Sequence, residues 1–244
     1  MDHRLKLISF DLCPYVERSR IVLLEKRVPH EVEYIDLRNK PGWFLALSPM
    51  GRVPVLLVDG RPIFESMVIN ELLEELYPRP ELFPKDPIAR AEARGWIVFA
   101  NEAIMPSAAK VQQALATGEE GEALERPRAA LAEALGKVEA HLARSGGPFF
   151  MGQPFTLVDA ALAPFVRRLR AAEALRPRAR SALAGRPRCR AYAYAVLAHP
   201  SVVEADPGEV GPRLQAFRVE RAQRERAGRP SPAVSAGRQG AASP

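Results

Sequence analysis

The sequence predicts a mixed α/β domain followed by an all-helical domain. Strand-type and helix-type segments alternate through the first 80 residues, and strand signals vanish from Ile88 to about Val203. A proline-dense segment separates the two halves. The chain has 244 residues, 47% of them hydrophobic and 26% charged, which is ordinary for a globular protein and enough for two packed units.

The α/β half begins with a strand candidate, KLISF (Lys6–Phe10), and VERSRIVLLEKR after it has helical composition. Alternating charged and apolar residues predict a second strand over Glu31–Leu37. VPVLLVDGRPIFES indicates two strands joined at Asp59-Gly60, a dipeptide typical of hairpins. A helix ending at Tyr77 follows. Its buried face, at the spacing of an α-helix, would consist of Ile69, Leu72, Leu73 and Leu76.

The second half shows helical signals only. One apolar stripe at helical spacing is formed by Leu124, Leu131, Leu135, Val138 and Leu142. After a glycine-rich loop, Thr156 and Asp159 form a capping-box pattern that predicts a helix start. We therefore divide the chain into an α/β domain (1–80), a linker (81–87), a helical domain (88–217) and a disordered basic tail (218–244) whose end is rich in Gly, Ser, Ala and Pro.

The charge distribution disfavours a nucleic-acid partner. The net charge is +6, but from Phe217 onward six arginines face two glutamates, which leaves +4 in the tail and +2 in the body. A basic tail of this kind indicates a solvated appendage. No apolar run approaches the ~18 residues of a membrane span, and the first residues lack a signal-peptide pattern. Two distant cysteines form no disulfide framework, so we expect a cytoplasmic protein. The four histidines show no metal-ligand spacing.

Cys13 lies between a predicted strand and a predicted helix, in the stretch DLCPYVERSR. Pro14 suits the first helical position, so the thiol would face the free N–H groups of a helix start. The helix dipole, with Arg18 and Arg20, would favour the thiolate and lower the pKa of Cys13. A thiolate is the nucleophile of thiol–disulfide exchange. The alternative is a small buried hydrophobic residue that ends the strand, and the local residues leave both interpretations open.

Three other residues indicate a ligand for that thiol. A proline that opens a strand is often cis, and such a turn at Val53-Pro54 would leave the backbone groups of Val53 able to bind an extended peptide. Ser66, with the backbone N–H groups of the next helix start, suits a carboxylate, and Glu65 suits an ammonium group. A ligand that combines a thiol, a peptide backbone, a carboxylate and an ammonium group is glutathione.

From residue 5 to about 205 the chain resembles the cytosolic glutathione transferases. The resemblance rests on CPYVERSRIVLLEK, SPMGRVPVLLVDGRPIFES and FTLVDAALAPF. The first stretch places the chain nearer the cysteine-type members, the omega class and its bacterial relatives, than the tyrosine or serine classes. The resemblance implies a thioredoxin-like N-terminal domain, an all-α C-terminal domain, glutathione as co-substrate and a homodimer.

The resemblance also implies roles for individual residues. Val53 would pair with the cysteinyl backbone of glutathione, and Glu65 and Ser66 would hold its γ-glutamyl end. Tyr15 occupies the aromatic slot beside the cysteine, and Lys40 resembles the basic residue that reaches the glycyl carboxylate. The pocket for the second substrate would lie against the helical domain, from about Ala100 to Lys110 and near the C-terminal helices.

The residue at position 16 bears on the chemistry. Related proteins with CPYC carry a second, resolving thiol, but this chain has Val16 there, and we interpret Cys189 as structural. We therefore expect a glutathione-dependent thiol transferase or reductase, in which Cys13 attacks a mixed disulfide, dehydroascorbate or a related electrophile and a second glutathione releases it. Conjugation is a close variant. The alternative is a binding or regulatory protein of the stringent starvation type, which RSRIVLLEKRV and PIARAEAR also resemble but which lacks the cysteine.

Overall fold

A four-stranded sheet with three helices forms the N-terminal half of the chain. The computed structural model describes residues 3–175 and 181–227. The strands are β1 (Leu5–Ser9), β2 (Glu31–Tyr34), β3 (Val55–Val58) and β4 (Arg61–Phe64), and the helices are α1 (Pro14–Glu25), α2 (Gly42–Leu47) and α3 (Ser66–Leu76). The hairpin predicted at Asp59-Gly60 is confirmed, since Val58 pairs with Arg61 across it. The short helix α2 was not predicted.

The strand directions bring four loops to one edge of this sheet. The strand order is β2-β1-β3-β4, with β1 parallel to β2 and antiparallel to β3, and β3 antiparallel to β4. Val55 pairs with Ile8 on one side and with Phe64 on the other. The segments that follow β1, β2 and β4 therefore meet the segment that precedes β3. These segments contain the residues for which the sequence predicts chemistry.

The remaining described elements are helical. They are α4 (Pro87–Phe99), a π-helical turn (Ala100–Ile104), α5 (Met105–Thr117), α6 (Glu122–Ser145), α7 (Leu157–Leu175), α8 (Pro187–Leu197), α9 (Pro200–Glu204) and α10 (Val210–Arg226). The predicted apolar stripe is the buried face of α6, because all five of its residues are at most 8% exposed. Among the described residues of this half, the one β-type pairing is an isolated bridge between Phe149 and Gly152. None of the described helices is long and apolar enough to cross a lipid bilayer.

The start of α7 is held by the predicted capping pair. Oδ2 of Asp159 accepts hydrogen bonds from the backbone N–H and the hydroxyl of Thr156, both at 2.8 Å, and Oδ1 accepts from the N–H of Phe150 at 2.8 Å. Asp159 is fully buried, and this burial raises the pKa of its carboxyl to about 6 although the three hydrogen bonds oppose the shift. The carboxylate thus ties the preceding loop to the helix.

A buried ion-pair cluster joins the two halves where α1 packs on α7. The carboxylate of Glu17, 3% exposed, accepts from Nε of Arg167 at 2.8 Å and from Nη1 of Arg168 at 2.5 Å. Arg167 also pairs with Asp206. Charges removed from water need such partners, so the position of α1 against α7 is specified by charge as well as by packing.

The predicted start of a disordered tail at residue 218 is wrong, because α10 continues to Arg226. The helix is ordered by contacts that composition does not reveal. The ring of Phe217 lies 5.6 Å from that of Phe10, and Nη2 of Arg218 donates to Oε1 of Gln112 at 2.9 Å. The rest of the predicted tail, residues 228–244, lies outside the described residues.

Candidate active site

Cys13 is the residue that precedes α1, and its thiol lies at the sheet edge described above. Its backbone N–H donates to the carbonyl of Phe10 at 2.9 Å, which closes the turn after β1. The side chain is 4% exposed, and Sγ lies 3.9 Å from the carbonyl oxygen of Val53, to which it donates. Pro14 occupies the start of the helix, as predicted. The thiol is therefore directly beside the backbone that the sequence assigns to a peptide ligand.

The prediction that the pKa of Cys13 is lowered is wrong for the free protein. Burial raises the pKa of the thiol, because a thiolate loses its hydration there. The backbone N–H groups of Val16 and Tyr15 act in the opposite direction, as the helix start predicts, and so do the charges of Arg168 and Arg18. The stabilising groups are present, but desolvation outweighs them.

The loop before β3 is shaped to present Val53. The Val53-Pro54 peptide bond is cis, as expected. The hydroxyl of Ser48 donates to the carbonyl of Arg52 and accepts from the N–H of Arg52, both at 2.9 Å, which closes the loop. Gly51 has a φ of +58°, and a methyl group there would lie 3.5 Å from Nζ of Lys40. Lys40 is thereby placed against the loop that carries Val53.

Glu65 and Ser66 lie at the opposite side of the same edge. Glu65 precedes α3 with a φ of +69°, a value that is unusual for any residue with a side chain. Backbone strain of this kind accumulates at ligand sites. The Glu65 side chain is exposed, whereas Ser66, the first residue of α3, is buried. An acid and a helix start are therefore presented side by side.

Tyr15, two residues after Cys13, is partly buried. Burial raises the pKa of its hydroxyl, the charges of Cys13 and Glu65 act in the same direction, and those of Arg18 and Arg52 oppose it. The guanidinium carbon of Arg18 is 4.9 Å from the centre of the Tyr15 ring. The fold thus brings the predicted residues to one edge, with Tyr15 within electrostatic range of both the thiol and Glu65.

Beside the thiol, on the side of the helical domain, is a cavity of about 100 Å³. Leu12 and Pro14, the neighbours of Cys13, form part of its wall. The predicted segment contributes Met105, Pro106, Ala108 and Ala109. The rest of the wall comes from Phe10, from Tyr15 of α1, from Gln112 and Gln113 of α5, and from α7 and α10. The active-site edge therefore has space beside the sulfur on the side of the helical domain.

The geometry matches a known family of enzymes. Residues 12–76 match the family model for the glutathione S-transferase N-terminal domain, and residues 121–193 match that for its C-terminal domain. The chain is 35% identical to glutathione S-transferase omega-2 from Homo sapiens, over 68% of this chain and 67% of that protein. The chain belongs to the glutathione S-transferase family.

Other proteins that this chain resembles in sequence or structure are also glutathione transferases. Glutathione S-transferase DHAR2 from Arabidopsis thaliana is 36% identical over 62% of this chain and 64% of that protein, so the chain spans about two thirds of the curated relatives that it matches. Glutathione transferase Omega 3C from Trametes versicolor superposes with a TM-score of 0.76 at 29% identity, covering 92% of this chain and 93% of that one. Rice GST1, solved in complex with glutathione, has a TM-score of 0.79 at 28% identity, covering 90% and 98%.

These comparisons confirm several predictions. The glutathione S-transferase family, the fold class of a thioredoxin-like domain followed by an all-α domain, and the similarity to omega-like, cysteine-type members are confirmed. Nothing in them favours the stringent starvation protein alternative.

Sequence reasoning missed two arginines of this glutathione S-transferase. Arg168, 4% exposed, donates through Nη2 to the carbonyl of Leu12 at 3.0 Å, immediately before Cys13. Arg218 reaches the cavity wall from α10. The stretch FVRRLR, with adjacent arginines inside an otherwise apolar helix, was a signal for Arg168. No comparable signal marks Arg218, because α10 is polar on most of its surface.

Cys189 is buried like Cys13, but it lies inside a helix and beside a carboxylate, not at a helix start. It is 3% exposed within α8, and Sγ donates to the carbonyl of Leu135 at 3.6 Å. Burial, with the neighbouring carboxylate of Glu139, raises the pKa of Cys189 to about 12. It therefore remains a protonated thiol at neutral pH.

Proposed function

We propose that the chain is a glutathione-dependent thiol transferase whose nucleophile is Cys13. The observation that carries the proposal is the thiol placed 3.9 Å from the Val53 carbonyl, with a valine and not a cysteine at position 16. A nucleophile without a resolving partner in the same motif must be regenerated by an external thiol.

The proposed reaction has two exchange steps. In the first, the Cys13 thiolate attacks the glutathionyl sulfur of a mixed disulfide, the old S–S bond breaks, and the other thiolate leaves and takes up a proton. In the second, the thiolate of a free glutathione attacks the glutathionyl sulfur of the Cys13 adduct, which yields oxidised glutathione and restores the Cys13 thiolate. Dehydroascorbate is a related two-electron acceptor for the same thiol, with two glutathiones supplying the electrons.

Glutathione would lie along the sheet edge. We assign the backbone of Val53 to its cysteinyl unit, Glu65 to its ammonium group, Ser66 and the α3 N–H groups to the γ-glutamyl carboxylate, and Lys40 to the glycyl carboxylate. Tyr15 would pack beside the sulfur. The Val53 carbonyl now accepts the Cys13 thiol, so a ligand N–H at this oxygen would compete with the protonated form of Cys13 and favour the thiolate.

Intact-protein mass spectrometry after incubation with oxidised glutathione tests the proposal. The wild type and Cys189→Ser should each gain one glutathionyl group, and Cys13→Ser should gain none. Only Cys13→Ser should lose glutathione-dependent reduction of a mixed disulfide, because a hydroxyl cannot form the adduct. Full activity in Cys13→Ser, or an adduct at Cys189, would reject the mechanism.

The assembly and the compartment are proposals as well. We assign a homodimer because the resemblance implies one and because β4, α3 and α4 carry exposed apolar side chains, namely Phe64, Val68, Ile88 and Val98, which are 43–72% exposed. Analytical ultracentrifugation should give twice the chain mass, and Val68→Glu should shift the equilibrium toward monomer. We assign a cytoplasmic location because both cysteines are free thiols, and imaging of a tagged chain tests it.

A further inference from the structure

The cavity beside Cys13 is cationic. Three arginines contribute to its wall, Arg168 from α7 and Arg218 and Arg221 from α10, and the lining includes no carboxylate among the described residues. The other polar side chains of the wall that stand closest to α10 are Gln112 and Gln113, which are neutral. Any group that enters this cavity therefore meets positive charge.

Two of these three charges are compensated. Arg168 pairs with the buried carboxylate of Glu17, which it shares with Arg167, and Arg221 pairs with Glu225 at 2.9 Å. Even so, Nε of Arg168 is buried and has no hydrogen-bond partner within the described part of the chain.

Arg218 carries the uncompensated charge. Its Nη2 donates to Gln112 at 2.9 Å and its Nη1 to the carbonyl of Ala109 at 3.1 Å, both neutral acceptors. No carboxylate within residues 3–175 and 181–227 lies at ion-pair distance from it, and its buried Nε has no acceptor there. Burial lowers the pKa of Arg218 to about 10, so it stays protonated at neutral pH. A partly desolvated guanidinium with a spare donor is a receptor for an anion.

We propose that this cavity receives the anionic part of the co-substrate: the thiol half of a glutathione mixed disulfide that carries a carboxylate or sulfonate group. The inference rests on the proposed thiol transfer. With the glutathionyl half along the Val53 edge, the other half lies across Cys13, where Leu12 and Pro14 border the cavity. When the Cys13 thiolate attacks the glutathionyl sulfur, the S–S electron pair leaves with the anionic thiol, which then takes a proton from solvent. The arginines hold its acidic group and not its sulfur.

A charge-matched substrate series tests this inference. Mixed disulfides of glutathione with 3-mercaptopropionate, 2-mercaptoethanol and cysteamine share the same glutathione half. The other half carries a charge of −1, 0 and +1, respectively. We expect kcat/KM for the anionic disulfide to exceed that for the neutral one by about tenfold, the size of one charge-assisted contact, and the cationic one to be the poorest. Equal values for the three disulfides would overturn the inference while leaving thiol transfer intact.

Two variants of the same helix separate specificity from structure. Arg218→Gln retains hydrogen bonding but loses the charge, and it should bring the anionic-to-neutral ratio of kcat/KM close to one. Arg226→Gln removes an exposed arginine that does not line the cavity, and it should keep the wild-type ratio. Partial unfolding would lower kcat/KM for the anionic and the neutral disulfide by the same factor, so it would not change their ratio. If Arg218→Gln keeps the wild-type ratio, the inference is contradicted.

A binding measurement makes the inference independent of turnover. Calorimetry should show that S-carboxyethylglutathione binds the wild type about tenfold more tightly than S-propylglutathione does, and that Arg218→Gln removes the difference. If this preference is present but no disulfide is turned over, the cationic pocket stands and the proposed reaction fails. If the two ligands bind equally, the cationic pocket fails.

Discussion

Replacing Glu17 by glutamine should destabilise the protein through the interface between its two halves. The carboxylate is 3% exposed and serves both Arg167 and Arg168. Without it, the acceptors that Arg168, itself 4% exposed, keeps within the described part of the chain are the carbonyls of Pro164 at 2.9 Å and Leu12 at 3.0 Å. Removing one partner of a buried ion pair costs about 3–5 kcal/mol of unfolding free energy. For a chain of this size that corresponds to a fall in Tm of roughly 6–20 °C.

Differential scanning calorimetry of Glu17→Gln measures this loss, and Glu71→Gln is the matched control. Glu71 also receives a two-point contact from an arginine, Arg94, but that pair is 31–47% exposed. Exposed pairs contribute about 0–1 kcal/mol, so the control should change Tm by no more than about 4 °C. If the two variants melt within a degree or so of each other, the buried cluster does not stabilise the interface and the reasoning fails.

Four further predictions concern the capping pair, the thiol, the ligand and the last helix. Asp159→Ala strips three buried donors of their acceptor, so calorimetry should show a loss of about 3 kcal/mol and of roughly 6–12 °C in Tm; an unchanged Tm would contradict the role of the capping pair. Because the pKa of Cys13 is raised by burial, the thiol is protonated at pH 7, and in Cys189→Ser its alkylation by iodoacetamide should be slower than that of free glutathione and rise about tenfold per pH unit. A rate that levels off below about pH 8 would show a lowered pKa instead. Glu65→Gln should weaken glutathione binding by about 1–3 kcal/mol in calorimetry, whereas wild-type affinity would reject Glu65 as the ammonium partner. Deleting residues 228–244 should leave Tm unchanged, but deleting 218–244 removes the Arg218 bonds and should lower Tm by roughly 2–10 °C; equal melting would show that α10 does not dock.

The sequence was sufficient for features whose determinants are local. The turn at Asp59-Gly60 and the proline after Val53 are encoded within a few residues, and the pairing of Val55 with Phe64 then places Val53 and Glu65 at one edge. The capping pair Thr156 and Asp159 is likewise local, spaced by three residues.

Features that depend on distant contacts could not be predicted in this way. The pKa of Cys13 follows from how deeply the folded chain buries the thiol, which no local pattern specifies. Arg168 bonds the carbonyl of Leu12, next to that thiol, from more than 150 positions away in the chain, and Arg218 lines the neighbouring cavity from about 200 positions away. The continuation of α10 beyond residue 217 was not predicted, because its buried contacts include an arginine. An arginine in a sequence normally indicates a position exposed to solvent.

The π-helical turn at Ala100–Ile104 determines which side of α5 the thiol cavity meets. It lies directly between α4 and α5, and its wider turn accommodates an extra residue without interrupting the continuous helix that the three segments form. Asn101 within it accepts from Nη1 of Arg18 at 2.6 Å, which anchors the turn to α1. Deleting the extra residue would return this turn to α-helical hydrogen bonding, and the residues of α5 would keep the sides that they now present. A deletion at the start of α5 itself would rotate the residues after it by about 100° about the helix axis, so that Lys110 would stand where Ala109 now lines the cavity. The π-helical turn is therefore a place where the length of the chain can change while the cavity wall keeps its residues.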